Sequence, residues 1–137
     1  MSNGGTVPPV ESNEWLARFI LNRVHLRHDR TVRQDAFIPH PYPDLSVTRH
    51  LQLSGTQLWE IGWDVAREIG RPLLARADVQ AFVFQRQKLR VVAAPLPENP
   101  NHANVTGWPV GKPAQKIIAQ QIAAAAGKAL EPPSNPG

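Results

Sequence analysis

Residues 54–85 read SGTQLWEIGWDVAREIGRPLLARADVQAFVFQ, and two periodicities follow one another within them. Ser54 is followed three residues later by Gln57, the spacing of a capping box in which side chain and backbone satisfy each other's amides. The spacing predicts a helix over 55–69 that stops at Gly70, with Pro72 just beyond. At about 100° per residue, Leu58, Ile61, Gly62, Val65, Ala66 and Ile69 share one face, and Glu60, Asp64, Arg67 and Glu68 the other. Gly62 inside the apolar stripe costs about 1 kcal/mol of helix propensity, which predicts a close approach of another element there. From Leu73 the period changes to two. Leu73, Ala75, Ala77, Val79, Ala81 and Val83 alternate with Leu74, Arg76, Asp78, Gln80, Phe82 and Phe84, which predicts a long strand to Gln85. Arg86-Gln87-Lys88 is a polar turn, and Leu89 to Ala93 returns as the second strand of a hairpin. The small alanines of the inward face leave room for a helix to pack closely.

Upstream, Ser12 is an N-cap residue, and Trp15, Leu16, Phe19 and Ile20 fall on a helical stripe, so a short helix is expected over 13–22. Val24 and Leu26 alternate with Arg23, His25 and Arg27 as in a short strand. Residues 28–44 end in Pro39-His40-Pro41-Tyr42-Pro43, which no helix or central strand accommodates, so a long loop is expected. Leu45 to Arg49 alternates as a strand. Downstream, residues 95–101 form a proline-containing loop and His102 to Thr106 a further short strand. A final helix begins near Pro113 and ends near Lys128, with Ala114, Ile117, Ile118, Gln121, Ile122 and Ala125 as its apolar face. The sum is an α+β fold: a small, mainly antiparallel sheet of about four strands with two or three helices packed on one face. It occupies one domain, 12–130, between disordered tails at 1–11 and 131–137.

Composition narrows the chemistry. The chain has 137 residues, is 42% hydrophobic and 19% charged, and contains no cysteine. That excludes disulfides, thiol catalysis, iron–sulfur clusters and cysteine-based zinc sites. No apolar run approaches the length of a membrane span and no signal-peptide pattern opens the chain, so a cytoplasmic location and no membrane partner are expected. The net charge is +4, and eleven of the fifteen basic residues are arginine, whose planar donor fork suits phosphate and carboxylate. Arg23, Arg27, Arg30, Arg33 and Arg49 concentrate between residues 18 and 50 and form a candidate anion-binding set, the alternative being a solvated surface paired with local acids.

Three other groupings could carry chemistry. His25-x-x-His28-Asp29 has donor types that suit a metal, but no His-Glu-x-x-His pattern is present and no fourth ligand falls in register, and the pair reads as solvated: no metal and no cofactor are expected. The segment 99–109 holds Asn101, His102, Asn104 and Trp108, the amides, imidazole and stacking surface of a nucleotide or base site; alternatively the asparagines make turns and Trp108 fills a core edge. His102, His25 and Arg49 are the candidates for acid–base work and anion holding. Trp59 and Trp63, one turn apart on the flank of the helix, are the candidate subunit interface. No phosphate-binding glycine loop, Gly-x-Ser-x-Gly elbow or zincin motif is present.

The segments Arg23-Val24-His25, Ala36-Phe37-Ile38-Pro39, Leu45-Ser46-Val47 and His102-Ala103-Asn104-Val105-x-Gly107-Trp108-Pro109 give the stretch 18–110 a resemblance to a family of small bacterial proteins of uncharacterised function. The resemblance implies a compact domain and no activity, cofactor or site. The residues therefore point first to a non-enzymatic binding module for an anionic partner, nucleic acid or an acidic protein. The alternatives are a small enzyme acting on a nucleotide or phosphorylated ligand through a His/Arg/Asn site, and a subunit of a complex or homo-oligomer.

Overall fold

A computed structural model describes residues 7–134; the parts of the two expected tails at 1–6 and 135–137 lie outside it. Five strands form one antiparallel sheet: β1 (Trp15–Ile20), β2 (Leu45–Arg49), β3 (Ala75–Gln80), β4 (Arg90–Ala93) and β5 (His102–Thr106). Their order across the sheet is β3-β1-β2-β5-β4. Three helices, α1 (Gly55–Ile69), α2 (Ala81–Gln85) and α3 (Lys112–Ala126), and two 3-10 turns, Arg23–His25 and Gln34–Phe37, complete the fold. The α+β class stands, with five strands where about four were expected.

The segment 54–70 folds as its sequence dictates. The Ser54 hydroxyl accepts from the Gln57 amide at 3.1 Å, and the Gln57 side chain accepts from the Ser54 amide at 2.8 Å. Gly70, at φ 77°, closes the helix. Leu58, Gly62 and Ala66 form the buried line of α1. A Cβ on Gly62 would stand 2.7 Å from Cε1 of Phe19, so the predicted close approach is the ring of a β1 residue.

The segment 13–22 is a strand, not a helix. Paired with β3 from Trp15↔Gln80 to Ile20↔Ala75, β1 lies inside the sheet. Leu16 and Ile20 enter the main core with Ala75, Ala77 and Val79, while Phe19 meets α1 on the opposite face. A strand covered on both faces carries apolar residues without alternation, and here they fall on a helical spacing by coincidence. The expected strand at 24–26 is a 3-10 turn capped by Asn22, after which Leu26 bridges Val32.

The strand expected over 73–85 ends at Gln80, where α2 begins. The Ala81 and Phe82 amides turn away to the carbonyls of Glu14 and Ser12, both 2.8–2.9 Å distant. β3 and β4 are therefore no hairpin and stand at opposite edges of the sheet. The outer edge of β3 is covered by the chain after α3, with Arg76 and Leu130 exchanging backbone hydrogen bonds.

One face of the sheet carries the main core. There α3, α2 and the loop residues Ala36, Phe37 and Ile38 close over the alanines of β3. The buried line of α3 is Gln115, Ala119 and Ile122, rotated from the expected stripe, so that Ile117 faces solvent. α1 lies on the other face, against Phe19 and Arg76.

Residues 8–11 were expected to be part of a tail but pack on the domain. The Arg49 guanidinium donates to the carbonyls of Pro8 and Pro9, and Val10 rests on the core. No helix among the described residues is long and apolar enough to cross a membrane.

Candidate functional site

The pairing of β1 with β2 is short. It holds Leu16 against Arg49 and Ala17 against Thr48, and then the strands part. Arg18 enters the gap. Its Nε donates to the Ala36 carbonyl at 2.8 Å and its Nη1 to the Ser46 carbonyl at 3.0 Å. No carboxylate lies within ion-pair distance of Arg18 among the described residues. Arg18 is partly buried, and burial pushes the guanidinium pKa down to about 10.

The gap opens into a cleft of about 1520 Å³. One wall is the last two turns of α1 with Arg71, and another is the proline-rich segment 38–44. The sheet supplies Ala17, Phe19, Ser46, Thr48 and His102, and the loop 96–99 with Lys112 closes the far end. Four cations (Arg18, Arg67, Arg71 and Lys112) face five carboxylates (Asp35, Asp44, Asp64, Glu68 and Glu98). Arg67 is taken by Asp64 one turn before it on α1. Apolar side chains stand exposed around the opening: Val24, Tyr42, Ile69 and Leu96.

Three histidines, His25, His40 and His102, line this cleft, two of them expected from sequence. Burial holds His25 below its ordinary pKa, and the Arg18 charge adds to this; Asp35 acts in the opposite sense and Arg71 in the same. The His25 ring is therefore neutral at pH 7. His102 is anchored through Nδ1, 2.8 Å from the Ala94 carbonyl, which makes Nδ1 the donor. His28, the other half of the spaced pair, is exposed and does not line the cleft. No three groups among the described residues are placed to hold a metal ion.

Arg49, expected at an anion site, is a buried clamp. Its Nε meets Glu14 Oε1 at 2.5 Å and its Nη2 meets Oε2 at 3.0 Å; Nη1 and Nη2 also take the carbonyls of Pro8 and Pro9. Four of the five N–H donors of its fork are taken in this way. Arg23, Arg27, Arg30 and Arg33 lie along the loop between β1 and β2, outside the cleft. Arg27 folds back on the Thr31 hydroxyl and the Val32 carbonyl, and Arg30 pairs with Glu131 at 3.3 Å. Arg23 and Arg33 are exposed.

The segment 99–109 is mostly structural. The Asn101 side chain donates to the carbonyls of Arg49 and Leu51, and buried Asn99 donates to the Thr48 hydroxyl, so both stitch the loop to β2. The Trp108 indole donates to the Val105 carbonyl at 3.0 Å and fills a core edge. Asn104 lies on the sheet between Ser46 and Val92, half-buried.

Trp59 and Trp63 are partly buried against their own domain. The Arg76 guanidinium stacks 4.6 Å over Trp59, and the Trp63 indole nitrogen is buried. Beside them Asp78 takes two hydrogen bonds from Arg76 at 2.9 Å and one contact with His50 at 3.0 Å. Burial would raise the Asp78 pKa, but these partners outweigh it and hold the carboxyl below its ordinary value. The exposed tryptophan is Trp15.

Sequence reasoning missed Arg18 and His40 as cleft residues. Arg18 was legible only as one more arginine, since its role depends on where two strands distant in sequence part. No protein-family model, curated protein or solved structure matches the chain.

Proposed function

We propose that the protein is a binding module whose cleft takes a ligand through a single anionic group held by Arg18. The observation that carries this reading is the Arg18 guanidinium, partly buried in the lining of the cleft and bonded only to neutral carbonyls. Two carbonyl dipoles do not neutralise a cation, and a desolvated charge without a counter-ion is costly. An anionic group in the cleft supplies that counter-ion. Arg71 lines the same cleft, and neutral His25 offers a hydrogen-bonding partner near the guanidinium.

The test is thermal. At constant ionic strength, replacing chloride with acetate or phosphate raises the melting temperature of the wild-type protein through ligand linkage and leaves that of Arg18→Gln unchanged. An equal rise in both proteins would contradict the reading.

A second reading is a small enzyme acting on the same bound anion, favoured by the neutral state of His25, which suits a general base. In that case His25→Ala abolishes turnover without weakening ligand binding; unchanged turnover would eliminate it.

A further inference from the structure

We infer that the occupant of the cleft is the C-terminal end of an extended polypeptide partner, its terminal carboxylate at Arg18 and its backbone laid along the opened edge of β2. The inference rests on the anion-binding reading above and adds the class of ligand.

Three observations converge on it. The first is the sheet itself. Arg18 and Val47 are next in register after Ala17↔Thr48 and Phe19 and Ser46 follow them, yet neither pair forms. In a strand the N–H and C=O of one residue point to the same edge. Arg18 takes the Ser46 carbonyl from that edge, so the Ser46 amide faces the same opening. An extended chain entering there finds the unpaired Ser46 amide at the start of β2, which can donate to a backbone carbonyl as when a peptide adds to a sheet.

The second is charge. The carboxylates lining the cleft outnumber the cations by one, and Arg67 is already paired. A nucleoside di- or triphosphate, or a nucleic-acid backbone, would bring several negative charges among those carboxylates. A single carboxylate at Arg18 suits the local cation and leaves the outer acids facing the amides or basic side chains of a peptide. The third is size and lining. At about 1520 Å³ the cleft exceeds the usual range of small-molecule pockets, roughly 300–1,000 Å³. Its rim carries exposed Val24, Tyr42, Ile69 and Leu96, which suit alternate apolar side chains of an extended segment.

The experiment uses the full chain and two heptapeptide mixtures randomised at all seven positions, one ending in a free carboxylate and one in an amide. Peptides retained with the protein on ultrafiltration are counted by mass spectrometry. The expected result is at least about tenfold greater retention from the acid mixture, the loss of one charged hydrogen bond being worth that much, with the excess displaced by acetate. The comparison needs only the wild-type protein, so it does not depend on how Arg18→Gln folds. Equal retention of both mixtures would overturn the inference. So would retention of neither while acetate or phosphate still raises the melting temperature, an outcome that leaves the anion-binding reading in place. If no peptide is retained and neither anion has any effect, both fall together.

Discussion

Glu14→Gln isolates the contact that joins the N-terminal segment to the sheet. The side chains of Arg49 and Glu14 are 3% and 10% exposed and meet through two hydrogen bonds at 2.5 and 3.0 Å. Glutamine keeps the shape and one accepting oxygen. It replaces the other oxygen with an NH2 that faces a guanidinium donor, and it removes the negative charge. Deleting one partner of a buried ion pair costs about 3–5 kcal/mol because the remaining charge is stranded. The two proline carbonyls and the surviving amide oxygen recover part of this, so a loss of about 2–3 kcal/mol is expected. With a urea m-value of about 1–3 kcal/mol per M for a small domain, the unfolding midpoint falls by roughly 0.7–3 M. Glu131→Gln is the control: Glu131 is 73% exposed and pairs with Arg30 at the surface, where an ion pair contributes about 0–1 kcal/mol. Equal, small midpoint shifts for both variants would refute the view that Arg49 is a structural clamp.

Two further outcomes follow from the same geometry. Gly62→Val places a branched side chain where even a Cβ would press on Phe19 at 2.7 Å; overpacking of this kind costs about 1–3 kcal/mol, measured by urea unfolding, and an unchanged midpoint would mean that α1 does not rest on the ring. The folded-state pKa of His25 is held below its ordinary 6.5 by burial and then by Arg18. The unfolded chain therefore takes up the proton first as pH drops below 6.5, and stability declines there; His25→Gln flattens that part of the pH profile, and a profile identical to wild type would contradict the assignment.

The readable parts of the fold were those whose neighbours matter least. The capping box at Ser54 and the stop at Gly70 specify α1 locally, and β2 and β5 each show alternation over five residues. β1 was misread because it is covered on both faces, where Leu16, Phe19 and Ile20 lose the alternation that marks a strand. The break at Ala81 was hidden because Phe82 and Phe84 continue the strand pattern, while the Ala81 and Phe82 amides obey partners some seventy residues upstream. The cleft was half legible. His25 and His102 were picked out by residue type, but Arg18 gains its meaning only from the place where β1 and β2 separate. Arg49 misled for the complementary reason: its partner Glu14 lies 35 residues away and nothing in the sequence joins them.

The most direct test of the central claim is a 15N-correlation spectrum that includes the arginine Nε–H signals, recorded while acetate replaces chloride at constant ionic strength. The account predicts saturable shifts at the Arg18 Nε–H and at the amides of Ser46 and His25. Shifts that do not saturate, or that gather at Arg23, Arg27, Arg30 and Arg33 while Arg18 stays silent, would contradict it.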